Sequence, residues 1–144
     1  MLTAVETEII IKLVLAAVFG MLVGLERELH KKPAGMRTHA FVCMGAALFT
    51  ILSYSFAGSG VDTSRIATGV VTGIGFLGAG VVFQAKNHIR GITTAAELWV
   101  LAAIGVALGT GMYYAATVST VIVLFILWPA KFLESKVKTR NSRS

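Results

Sequence analysis

The chain is predicted to be an all-α polytopic membrane protein, a bundle of about five transmembrane helices with its N-terminus outside and its C-terminus in the cytoplasm. Three observations predict this. The first is apolarity: 56% of the 144 residues are hydrophobic and 14% are charged. A water-soluble domain of this size has too much surface for its volume to hide that load, so the excess calls for lipid. The second is five separate apolar runs, each near the length of about 20 residues that spans a bilayer. The third is a one-sided distribution of basic residues between those runs.

The first run is residues 8–26, with IIIKLVLAAVFGMLVGL at its centre. Glu6 and Glu8 precede it where a signal peptide would carry basic residues, so it is expected to stay as a helix. The second is 38–57 and the third 66–84. The fourth, 94–111, and the fifth, 113–133, are separated by a turn around Gly109, Gly111 and Met112. One continuous helix over both would be about 60 Å long, twice the hydrocarbon core, so they are read as an antiparallel hairpin. Residues 1–133 thus form the transmembrane domain and 134–144 a basic cytoplasmic tail, lying along anionic headgroups or disordered.

Charge sets the orientation. Arg27, Lys31, Lys32, Arg37, Lys86, Arg90, Lys131, Lys136, Lys138, Arg140 and Arg143 share one side if there are five helices; Lys12 and Arg65 fall toward the other. The positive-inside rule makes the crowded side cytoplasmic. Trp99 and Trp128 then lie near the inner interface, and Tyr54, Tyr113 and Tyr114 near the outer one. The net charge of +6 belongs to these membrane-flanking clusters, and nucleic acid is not an expected partner. The lone Cys43 has no partner for an intrachain disulfide.

Glycine spacing is the strongest motif. Gly20 and Gly24, Gly69 and Gly73, and Gly105 and Gly109 each stand four apart, which lines small residues along one helix face and lets backbones approach in lipid. Gly73, Gly75, Gly78 and Gly80 carry the same packing reading, with an unwound, gating segment as the sharper alternative. Gly73-Ile-Gly75-Phe-Leu-Gly78 also fits a dinucleotide fingerprint. It lacks the βαβ setting that gives those glycines their role.

Charged groups at membrane depth mark candidate sites. Glu26, Arg27 and Glu28 close the first helix, while Arg37, Thr38 and His39 open the second. Glu26 or Glu28 is expected to pair with Arg37, either as a pin between helix ends or as a carboxylate facing a polar pocket. Thr94 and Glu97 have capping-box spacing, and Glu97 sits at the edge of an apolar helix, so capping and a functional carboxylate are both open. Asp62 is expected to cap the third helix ahead of Arg65. His30 and His88 are read as solvated. No His or Cys pair has zinc spacing and no nucleophile–base arrangement stands out, so an enzyme is not expected. The metal assignment is left open, with Glu26 and Glu97 as the candidate oxygen donors; magnesium favours such ligands and keeps several waters.

Three ordered blocks carry a family resemblance: GLERELHKKPAGMRTHAFVCMGAALF at 24–49, DTSRIATGVVTGIGFLGAGVV at 62–82, and GITTAAELWVLAAIGVALGTGMY at 91–113. With them the chain resembles the MgtC/SapB family of bacterial inner-membrane proteins over about residues 8–128. The resemblance implies about five membrane helices. It points to Glu26, Arg27, Arg37, Thr38, Asp62, Arg65, Gly73, Gly75, Gly78, Gly80, Thr94 and Trp99. Thr63 stands where family members often have proline, and position 97 varies in type within the family. The resemblance also implies a setting of low magnesium, acid stress and survival inside hosts. Family members are called magnesium transporters, while some look like regulators of other membrane proteins, including an ATP synthase. Two functions follow as expectations. One is a regulator that binds a membrane partner through glycine-rich faces. The other is a magnesium or proton pathway formed by the chain itself, as a homo-oligomer (a dimer by preference), because one copy has few polar groups at the bilayer centre.

Overall fold

The computed structural model describes residues 3–56, 62, 64–85 and 88–141, and for 83–85, 88 and 129–141 the backbone alone. Five helices form: α1 (Ala4–Leu29), α2 (Met36–Ser55), α3 (Ser64–Val81), α4 (Ile92–Gly109) and α5 (Tyr113–Asn141). The first four are each long and apolar enough to cross a membrane. In α5 the apolar stretch among the described residues is the shorter Tyr113–Trp128.

Local chemistry explains the boundaries. α1 starts four residues ahead of the apolar run because Thr3 and Glu6 form a capping box, each side chain bonding the other's backbone N–H. Lys12, one charge inside an apolar helix, is neutralised by Glu8 one turn earlier at 2.8 Å. Asp62 accepts a bond from the Ser64 backbone N–H at 2.9 Å, the expected cap on α3. α3 stops at Val81 rather than at 84, and Phe83–Ala85 pairs antiparallel with His88–Arg90 in a short hairpin. Gly91 ends that hairpin at φ 92°, where a Cβ would collide with the Val81 carbonyl oxygen. The tail expected to be disordered or surface-bound continues α5 as helix to Asn141; residues 142–144 and Lys86 lie outside the described residues.

α2 packs between α1 and α4, α3 leans on α4 and more lightly on α2, and α5 lies on α4 and α1. Four glycines make this possible. A Cβ on Gly20 would stand 2.6 Å from the His39 carbonyl oxygen, and one on Gly24 2.6 Å from Met36 Cα. Gly105 would strike the Cys43 carbonyl, and Gly109 would meet Ala47 O at 2.7 Å. These two pairs seat α2 against α1 on one side and α4 on the other, as their spacing predicts. The α3 glycines behave differently. Gly69, Gly73, Gly75 and Gly80 meet nothing within 4 Å, and Gly78 alone touches a neighbour, Ala95. Among the described residues, the expected packing role is therefore met at Gly78 and not at Gly69, Gly73, Gly75 or Gly80. Gly69 and Gly73 line part of an open apolar groove of about 770 Å³ between α2 and α3.

The two ends of the bundle follow from contacts. Glu8 and Lys12 of α1 gather with Tyr54 of α2 and Gly109 of α4, so the start of α1 lies beside the ends of α2 and α4. At the opposite end, the close of α1 meets the starts of α2 and α4.

Candidate functional site

That second end holds a cluster of charged side chains. Glu97 is the sixth residue of α4, so it sits about 7–8 Å along the helix from its start. The helix begins at Ile92 with Gly91 as its N-cap and no side-chain cap bond. The expected capping box is thus absent: Thr94 and Glu97 lie inside the helix, and both are buried. Being three apart, they fall on one face, the one turned toward the bundle.

Arg27, near the close of α1, meets Glu97 there. Its Nε lies 2.9 Å from Glu97 Oε2, and both side chains are 7% exposed. Arg27 Nη1 also reaches Glu26 Oε2 at 3.2 Å. The other Glu26 oxygen, Oε1, lies 2.9 Å from His30 Nδ1, which in turn donates to the Glu26 carbonyl at 2.6 Å. His30 is therefore part of the cluster and not the solvated side chain expected.

α2 adds His39, which is fully buried. Its Nδ1 lies 2.9 Å from the Gly35 carbonyl oxygen, and a carbonyl can only accept, so Nδ1 carries the hydrogen. Nε2 on the far side of the ring is 3.9 Å from Glu97 Oε2. Gly20 and Gly24 bring α2 this close, since any side chain there would push His39 and Met36 away from α1. The sequence marks His39 only as a residue opening the second helix. The signal that could have found it is an imidazole one turn into a helix that is apolar from Ala40 to Phe49.

The cluster is rich in acceptors. Among the described residues, the buried Glu97 Oε1 and Oε2, His39 Nε2 and Arg27 Nε have no hydrogen-bond partner, so the 2.9 Å approach of Arg27 to Glu97 is an ion pair without an aligned N–H. Among the described residues no three His, Cys, Asp or Glu side chains converge as metal ligands. Arg27 stands between Glu26 and Glu97, so a guanidinium is the cation these two candidate donors share.

Other expected site residues lie elsewhere. Arg37 and Thr38 are exposed at the start of α2, and among the described residues Arg37 has no ion-pair partner. The expected Glu26–Arg37 or Glu28–Arg37 pair does not form. Glu28 instead accepts from the Met36 backbone N–H at 2.9 Å, capping α2 by tertiary contact. Asp62 and Arg65 are exposed at the start of α3, beyond the opposite end of α2, and take no part in the cluster. Trp99 is half exposed on the outside of α4.

Five packed helices, four of them of membrane-crossing length and apolarity, define an integral, multi-pass α-helical membrane protein. The chain belongs to the MgtC family, whose pattern it matches over residues 13–136. It is 47% identical over 141 residues to the "Putative magnesium transporter YhiD" of Escherichia coli strain K12, covering 93% of this chain and 66% of that one. It is 46% identical over 115 residues to "Protein MgtC" of Salmonella typhimurium, covering 80% of this chain and 49% of that one. A third relative, "Protein MgtC" of Brucella abortus, is 42% identical over 111 residues, covering 77% and 46%. The chain thus spans between about half and two thirds of the length of these relatives. No solved structure matches it.

Proposed function

We propose that this chain is a non-enzymatic protein of the bacterial inner membrane that serves magnesium and acid-stress homeostasis by regulating a membrane partner through the small-residue face of α3. The observation that carries this is the contrast among the glycines. Those of α1 and α4 are consumed inside the bundle, while Gly69, Gly73, Gly75 and Gly80 are open. Only 6% of the most apolar window of α3 is buried, against 22%, 33% and 50% for α1, α2 and α4. In lipid an apolar face gains nothing by hiding, so close backbone approach over small residues is what draws helices together. A face of that kind, with no helix on it among the described residues, fits a partner's transmembrane helix. The names of the relatives supply the magnesium setting.

A magnesium or proton pathway formed by the chain itself, as a homo-oligomer, is the alternative. The acceptor-rich cluster favours it, and the two readings separate cleanly. Gly69→Leu/Gly73→Leu is expected to fold as wild type, because the added side chains meet open space, yet to lose rescue of growth at low magnesium. Magnesium flux through liposomes holding only the purified wild-type protein, well above empty liposomes, would overturn the regulator reading. Disulfide cross-linking of two copies through Gly73→Cys would place a second copy, rather than a foreign helix, on that face.

A further inference from the structure

We propose that His39 and Glu97 form a buried proton-binding site in which one proton, carried on His39 Nε2, is held against the Glu97 carboxylate. This stands apart from the α3 face and from the regulator reading. The ring orientation is set first: Nδ1 donates to the Gly35 carbonyl at 2.9 Å. A neutral ring then presents a bare lone pair at Nε2, and that lone pair faces Glu97 Oε2 across 3.9 Å. Two buried acceptors opposed in this way repel one another; among the described residues neither has a hydrogen-bond partner, and Glu97 Oε2 is met only by the Arg27 ion pair. A proton on Nε2 turns the opposition into attraction. At 3.9 Å this is an ion pair, and a small closing movement makes it a hydrogen bond.

Charge balance points the same way. The charged and titratable groups around His39 among the described residues are these. From α1 come Arg27 and, through it, Glu26; from α4 comes Glu97. Glu28 of α1 caps Met36 at the start of α2, and His30 is engaged by Glu26. On α2 itself, Arg37 is exposed and Cys43 lies one turn further into the membrane. The cluster is one guanidinium against two carboxylates, so with both imidazoles neutral it carries one uncompensated negative charge; His30 stands beside the partly exposed Glu26, while the fully buried His39 is the ring that faces Glu97. Uncompensated charge is costly where water is scarce, and a single proton cancels it. Because His39 is on α2 and Glu97 on α4, the bound proton ties these helices together just above the seam where Gly105 and Gly109 pack on α2.

The test is nitrogen NMR of ¹⁵N-histidine-labelled full-length protein in lipid nanodiscs, with the His39 signal assigned by its loss in His39→Asn. At neutral pH the wild type should show His39 protonated on both ring nitrogens. In Glu97→Gln at the same pH, the ring should revert to the neutral form with hydrogen on Nδ1. A neutral His39 in the wild type at neutral pH overturns the proposal, and so does a doubly protonated ring that persists in Glu97→Gln. Should Glu97→Gln fail to fold, the wild-type ring is followed from about pH 5 to 8. Loss of the second proton concerted with a change in the ¹³C carboxylate signal of a glutamate supports the site, and a ring that titrates with every glutamate signal unmoved overturns it.

Discussion

Arg27 and Glu97 come from positions 70 residues apart and meet at 2.9 Å with both side chains buried. A buried pair of this kind adds little net stability, yet removing one partner strands the other. Arg27→Met should therefore cost about 3–5 kcal/mol, read as thermal unfolding in detergent. Arg27→Met/Glu97→Met should recover most of that loss; a double variant as unstable as the single one would mean that the pair is not the unit. Asp62 behaves differently because it is fully exposed. The side-chain and backbone hydrogen bonds from Ser64, with help from Arg65, hold its carboxyl below the usual value. A lowered carboxyl contributes stability that is present above the unfolded-state value and is lost as pH falls through the folded one. Wild type should thus lose more stability than Asp62→Ala between about pH 7 and pH 3, and identical pH profiles would refute the cap. At this scale the residue types were legible in advance: Glu26, Arg27 and Glu97 stand out as charges in apolar sequence. Their pairing was not. Arg37 looked equally able to reach Glu26, and only the rotation of α2, which leaves Arg37 exposed, decides against it.

The helices divide by what their glycines meet. Gly20, Gly24, Gly105 and Gly109 touch backbone of α2, whereas Gly69 and Gly73 touch nothing. Gly105→Leu is expected to cost about 1–3 kcal/mol or more through overpacking, because the Cys43 carbonyl cannot move without shifting α2. Gly73→Leu should change thermal stability little. Equal losses at the two positions would show that α3 is covered within the folded chain. The four-residue spacing is the same in both helices, so sequence alone could not separate them. The spacing reports which face is smooth, and the neighbour that uses it is chosen by the whole packing. The same limit explains the mistaken capping box: Thr94 and Glu97 have the right spacing, but Gly91, free to take a positive φ, starts the helix earlier and turns both inward.

For the molecule as a whole, the distribution of basic residues sets the expected orientation. The cluster end carries the basic segments around Arg27–Arg37 and Arg90, so a reporter fused after Ser144 should be active only in its cytoplasmic form. Activity of a periplasmic reporter there would invert the topology. Helix count, helix type and approximate boundaries were determined by the sequence itself, because a stretch of about 20 apolar residues has few options other than a membrane-crossing helix. The family was equally legible, in three ordered blocks spread over most of the chain. Only the tertiary structure decided that Glu97 faces Arg27 and His39, that Arg37 faces out, and that the α3 glycines stay open. Those outcomes depend on how each helix is rotated about its own axis. Where lipid and protein interior are equally apolar, hydropathy exerts no torque, and small-residue contacts and buried charges set the rotation.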